Sequence, residues 1–281
     1  MYYLVDGLPI RLKAPHDLSW TGRFGRVFCV FDQLISGHLG LGTEDEGQRY
    51  FIKYAGASTL GYAGDPRQAV ARLREADEVY QSLRHRCLTP HLDAFETAQG
   101  FGIVFPWFPG FALAPMDVHM HRLRALPPGK RFALFDGLAE FITMASGLDY
   151  ITSGIADQNI LVDFEQERAI FSSVDHFMRM PAVNHRGRLP GSPWFLAPEA
   201  YKAGAKLDEA TNVYQLGMLA HTFFGHRDAP SPRQWEGTPA LYAVAERATQ
   251  PDPAKRFQGA AQFLAAWRQA VMDIPSRWFM G

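Results

Sequence analysis

The stretch YITSGIADQNILVDFEQERAIFSSVDHF, Tyr150 to Phe177, governs how the rest of the chain is read. Asn159 is followed directly by Ile160-Leu161-Val162, an apolar run entered from a polar loop, which predicts a strand. A second strand-like run, Ala169-Ile170-Phe171, leads through Ser172-Ser173-Val174 into Asp175, sixteen residues after Asn159. An Asn and an Asp at the ends of paired strands offer two oxygen ligands of the kind a divalent cation with bound nucleotide requires.

The chain around this stretch has 281 residues, 47% hydrophobic and 20% charged, with a net charge of -1. That is enough for one large domain or two modest lobes, and too apolar for disorder. Bulk charge gives no basis for a nucleic-acid or anionic-membrane partner. Cys29 and Cys87 are too few for a disulfide framework, so a reducing, cytoplasmic setting is expected. The N-terminal MYYLVDGLPIRLK has no basic-then-apolar signal, and Phe101 to Pro115 is too short and Pro-broken to span a bilayer.

Residues 1–19 read as an irregular lead-in with short strands. Gly22-Arg23-Phe24-Gly25-Arg26-Val27 reads as a strand–turn–strand whose N–H groups can close over phosphates, or as a plain hairpin. Ser36 to Gly47, rich in Gly and acids, is expected to be a long exposed loop. In Tyr50-Phe51-Ile52-Lys53-Tyr54, Lys53 either reaches solvent from a strand end or faces nucleotide phosphates. Asp65 to Leu83 has helical period, with Val70, Leu73, Ala76, Val79 and Tyr80 on one face and Glu75 near it. Phe101 to Leu113 reads as a strand ending in a Pro-punctuated crossing, and Met116–Leu126 and Lys130–Ser146 as helices. His119 and His121, two apart, fall on different faces of a helix, which argues against a metal pair.

Three later strings are more specific: GSPWFLAPE at Gly191–Glu199, Asn212-Val213-Tyr214-Gln215-Leu216-Gly217 opening an apolar helix through Phe224, and QPDPAKRF at Gln250–Phe257. Together with the Asn159 and Asp175 segment they resemble, in order and spacing, the protein-kinase family. The resemblance runs from residue 20 to 257. It implies an α+β, two-lobed protein-kinase-like fold: an N-lobe over 1–105 with a small antiparallel β-sheet and one helix, a mainly helical C-lobe over 106–281, and a hinge near 105–110. Gly22, Gly25 and Val27 would belong to the glycine-rich loop, with Trp20 in place of its first Gly. Lys53 would meet nucleotide phosphates, oriented by Glu75 (Glu78 is the alternative). Phe105 would be the gatekeeper, with Pro106 C=O and Phe108 N–H offered to adenine. Asn159 and Asp175 would hold Mg²⁺ or Mn²⁺ with ATP, and Arg256 would form a buried structural pair with Glu199.

The departures from the family pattern are as informative. Counting back from Asn159, the catalytic H-R-D tripeptide falls on Thr152-Ser153-Gly154, so Gly154 stands where the base should be. Asp157 is the one carboxylate in the loop that could stand in. Asp175-His176-Phe177 replaces D-F-G. No Ser, Thr or Tyr lies between His176 and Gly191, so phosphorylation there cannot switch the loop. The span between Gly225 and Ala240 is short and Pro-rich where protein kinases fit an extra helix that helps dock substrates. The resulting expectation is a pseudokinase-like, ATP- and metal-binding protein that acts through a protein partner. An active serine/threonine-type or atypical phosphotransferase using Asp157 is the first alternative. A nucleotide-free adapter, its cleft filled by Phe51 and Trp20, is the second.

Overall fold

The computed structural model describes residues 1–114, 116–226 and 230–272. The chain is an α+β protein that divides into two compact units, Met1–Arg84 with Thr89–Pro109, and His85–Leu88 with Gly110–Gly281. Among the described residues no helix is long and apolar enough to cross a membrane.

The first unit opens with an antiparallel hairpin, β1 (Tyr2–Val5) and β2 (Leu8–Arg11). Five antiparallel strands follow, β3 (Arg26–Phe31), β4 (His38–Asp45), β5 (Gln48–Ala55), β6 (Asp93–Thr97) and β7 (Gly100–Pro106), in the order β3-β4-β5-β7-β6. Period-2 alternation gives this sheet two different faces. On one, Leu39, Leu41, Ile52, Tyr54 and Val104 join Ile10 and Leu12 of the hairpin region in a closed apolar core. The other carries Phe51, Lys53 and Phe105, with Phe51 and Phe105 as direct cross-strand partners.

Helix α1 (Pro66–Ser82) packs on β5 and β7. Asp65 caps its first turn by accepting from the Arg67 N–H at 2.9 Å, Pro66 presets the entry, and Ala69, Val70, Leu73, Ala76 and Tyr80 form the buried stripe. The segment Ser36–Gly47, expected to be an exposed loop, is instead mostly β4, buried from His38 to Thr43. Its glycines are floor positions. A Cβ at Gly40 would lie 3.1 Å from the Phe51 ring, and one at Gly42 2.9 Å from both Phe28 and Trp107. Side chains there would displace the rings that lie across the strand.

The second unit is mainly helical: α2 (Met116–Ala125), α3 (Pro128–Gly147), α4 (Glu209–Phe224), α5 (Pro239–Ala248) and α6 (Ala260–Met272). Helix α4 is buried almost all round from Thr211 to Phe224, as a central helix must be. A reciprocal capping box between Asp208 and Thr211 starts it. Phe132, Phe135, Phe224 and Trp267 from α3, α4 and α6 pack ring against ring, mostly tilted or edge-on, at centroid distances of 4.5–6.1 Å. Each such ring contributes about 1.5–3 kcal/mol on burial.

Short strands complete this unit: β8 (Phe111–Ala112), β9 (Tyr150–Ile151), β10 (Ile160–Asp163), β11 (Arg168–Phe171), β12 (Met178–Arg179), β13 (Ala182–Val183) and β14 (Lys206–Leu207). They pair antiparallel as β11-β10-β8, β12-β9 and β13-β14. The connection after Gly225 has one 3₁₀ turn among the described residues, Pro232–Gln234, while 227–229 lie outside them.

Candidate functional site

The expected site residues divide between the units: Gly22, Gly25, Val27, Lys53, Glu75, Phe105, Pro106 and Phe108 in the first, Gly154, Asp157, Asn159 and Asp175 in the second.

In the first unit the glycine-rich segment is not a strand–turn–strand. Ser19–Phe24 is a 3₁₀ turn that ends at Gly25 before β3. A Cβ at Gly22 would meet nothing within 4 Å, so no close approach requires glycine there. Gly25 has φ +76°, and a Cβ would run into the Glu44 carbonyl. Its job is to let the chain enter beside β4. Val27 is in the apolar core. Trp20 is there too, stacked on Tyr54 at 4.5 Å. Since Tyr54 and Lys53 alternate on β5, Trp20 lies on the opposite face from Lys53 and fills no cleft on Lys53's side.

The turn that joins the first two strands of the sheet is Asp32–Gly37, with a single glycine. Asp32 is buried and accepts from the Arg11 N–H at 2.9 Å. Arg72 of α1 donates to the Ser36 carbonyl and lies over the Tyr62 ring. This turn is tied to its own unit on both sides, unlike a loop poised over phosphates.

Lys53 is 5% exposed. Its Nζ donates to Tyr80 Oη at 3.2 Å and lies 5.6 Å from the Tyr80 ring and 5.9 Å from that of Phe105. Phe105 is buried, 4.8 Å from Tyr80 and 6.5 Å from Phe51. Glu75 and Glu78 are both exposed and make no hydrogen bond or ion pair among the described residues. The Lys53–Glu75 pair is thus not formed, because the buried stripe of α1 presents Tyr80 to the strand. Tyr80 was legible only as one more apolar position. Pro106 ends β7 opposite Tyr50, and Phe108 follows, half-buried.

In the second unit β10 and β11 pair so that Asn159 and Ser172 flank the ladder, with the Asn159 carbonyl accepting from the Ser172 N–H at 2.8 Å. Asn159 Nδ2 donates to the Gly154 carbonyl at 3.2 Å, which fixes the amide with Oδ1 as its acceptor atom. Asp175 is half-buried, its N–H directed to Ser173 Oγ at 3.4 Å. Asp157 is 8% exposed, in the 3₁₀ turn Asp157–Asn159. Among the described residues no group of three or more His, Cys, Asp or Glu is arranged to hold a metal ion.

Gly154 is the decisive residue. Its φ is +83°, and a Cβ there would lie 2.6 Å from the Cβ of His176. Gly191 closes on it as well, since a Cβ at 191 would be 3.2 Å from Gly154 Cα. Two departures from the family pattern, Gly for Asp at 154 and His for Phe at 176, are therefore in contact. The space a side chain would need at 154 is occupied by the side chain of His176.

Helix α4 holds the segment before Gly154. Asn212, fully buried, accepts from the Thr152 N–H at 2.9 Å and donates to Ser146 Oγ at 3.1 Å and the Tyr150 carbonyl at 2.8 Å. The Arg256–Glu199 pair is present and bidentate, at 2.7 and 2.9 Å, with Arg256 fully buried. Its guanidinium also donates to the carbonyls of Ala210, Gln250 and Pro251. No family model matches the chain, and no curated protein matches it significantly.

Proposed function

We propose that the chain is a protein-kinase-like protein of the pseudokinase type, its two units corresponding to N- and C-lobes, which does not transfer phosphoryl groups and acts by binding a protein partner. Gly154 carries this reading. A base that accepts a hydroxyl proton needs a side chain, and here both the backbone conformation and His176 leave no room for one. Asp157 supports the alternative poorly, because it is 8% exposed in the turn that sets up β10.

Nucleotide remains part of the reading through two features. Lys53 is a buried cation on the strand the resemblance assigns to phosphate contact, and Asn159 is held with its Oδ1 available for a cation. The resemblance assigns Lys53 to the phosphates of ATP, and Asn159 and Asp175 to its Mg²⁺ or Mn²⁺. The glycine pair and Glu75 do not fit that role, which points to weak rather than tight nucleotide binding. A cytoplasmic setting belongs to the same reading and suits the two free thiols, Cys29 and Cys87.

Thermal unfolding with and without ATP and Mg²⁺, beside Lys53→Ala and Asp175→Ala, tests the nucleotide part. A metal-dependent rise in Tm in the wild type, lost in both variants, is expected. Transfer of label from the γ-phosphate of ATP to the chain or to a general protein substrate would overturn the non-catalytic reading.

A further inference from the structure

We infer that the surface formed by residues 178–207 is a docking site for an acidic polypeptide segment that carries an apolar or aromatic residue. This span holds Arg179, Arg186, Arg188, Lys202 and Lys206, and its one carboxylate is Glu199. Glu199 adds no negative charge to the surface, since Arg256 holds it in a bidentate pair beneath.

The fold gathers these cations. Asn184, 1% exposed, donates from Nδ2 to the carbonyls of Glu199 and Ala200 at 3.2 and 3.1 Å and accepts the Arg186 N–H at 3.0 Å. Its own backbone pairs with Ala205 and Gly204 at 2.9 and 2.7 Å. The turn bearing Arg186 and Arg188 is thereby fixed beside the one bearing Lys202. Strand pairing sets Lys206 opposite Val183. Arg179 is committed to the Tyr150 ring and the Leu148 carbonyl, and Lys206 to Asp208. Arg186, Arg188 and Lys202 are exposed and make no ion pair among the described residues.

Apolar surface lies among these cations: Val183 is 47% exposed, Tyr201 45% and Trp194 38%. Aromatic and Arg side chains of this kind are the anchors of protein interfaces. Charge complementarity selects an acidic partner. A nucleic acid fits less well, because its affinity grows with the number of phosphates neutralised, and this surface offers three cations without an ion pair, of which Arg188 already donates to the Gly191 carbonyl at 3.2 Å, on a chain of net charge -1.

The inference rests on the partner-binding reading above. Its test is fluorescence anisotropy of a short labelled peptide of Asp and Glu with a central Phe, titrated with the full chain. Saturable binding is expected, weakened about tenfold or more by Arg186→Glu with Lys202→Glu and by raised salt. Arg67→Glu, an exposed change on α1, should leave it intact. An unchanged Tm in the charge-reversed variant shows that the fold survives. Absence of binding, equal binding by the charge-reversed variant, or tighter binding of a poly-U oligonucleotide would overturn the inference. Label transfer from ATP, measured on the same preparations, reports separately on the non-catalytic reading.

Discussion

Replacing Gly154 by Asp would return a carboxylate to the position where kinases carry their base, and the structure predicts damage instead of repair. Two costs add. The φ of +83° is a left-handed conformation that costs an L-residue about 1–2 kcal/mol, with Asp at the lower end. The new Cβ would meet the His176 Cβ at 2.6 Å, and relieving an overpacked contact of that kind costs about 1–3 kcal/mol. Gly154→Asp should therefore lose about 2–5 kcal/mol, a large share of a typical domain's stability. Adding His176→Gly removes the obstructing atom. Urea denaturation of the wild type, both single variants and the double variant gives the coupling directly. A favourable coupling of about 1–3 kcal/mol is expected, because the overpacking vanishes while the backbone strain remains. If Gly154→Asp unfolds within about 0.5 kcal/mol of the wild type, or if the two changes are additive, the contact between 154 and 176 is not what excludes the side chain.

Other perturbations probe the supports of the site. Arg256→Ala would strand Glu199 beside α4 and should cost about 3–5 kcal/mol in chemical denaturation, with Glu199→Gln milder; a loss below about 1 kcal/mol would show the pair to be dispensable. Tyr80→Phe keeps the ring against Phe105 but removes the hydroxyl that receives the Lys53 proton, so a loss of about 0.5–1.5 kcal/mol is expected, and no change would mean that hydrogen bond contributes nothing. His221 is 1% exposed among Trp235 and Tyr242, and burial pushes its imidazole down from 6.5 to about 4. Between those values the unfolded chain binds the proton and the folded one does not, so stability is full above pH 6.5 and falls as pH drops toward 4, by about 3 kcal/mol in all. His221→Phe should flatten that part of the pH profile, and an unchanged slope would assign it to other groups.

What was legible in the sequence was what is encoded locally. Helix α1 announces itself through Asp65, Pro66 and a regular apolar stripe, and α4 through its cap and its apolar run. The Arg256–Glu199 pair was implied by the resemblance that the strings at Gly191–Glu199 and Gln250–Phe257 carry, and has no local signature of its own. Strand β4 was missed because Gly40 and Gly42 read as loop residues; only the rings of Phe51, Phe28 and Trp107, brought from other segments, explain their smallness. The partner of Lys53 was misassigned for a related reason. Helical period sets Glu75 about 140° round from Tyr80, and the resemblance, not the period, paired the acid with Lys53; the packing of α1 on β5 turns the tyrosine inward and leaves the acid out. The contact between Gly154 and His176 lies across twenty-two residues of sequence and has no local signature at all.

Asn184 has a consequence for how the molecule breathes. One buried amide serves two turns and the strand pair between them, so none of these parts can open while the others stay closed. The amide protons of Leu189, Ala200 and Gly204 should therefore share a single opening event in hydrogen exchange, as one cooperative unit. Asn184→Ala would drop their protection together while leaving α4 slow. A surface that exists only when such a unit is shut is present or absent as a whole, which gives whatever docks there an all-or-none target.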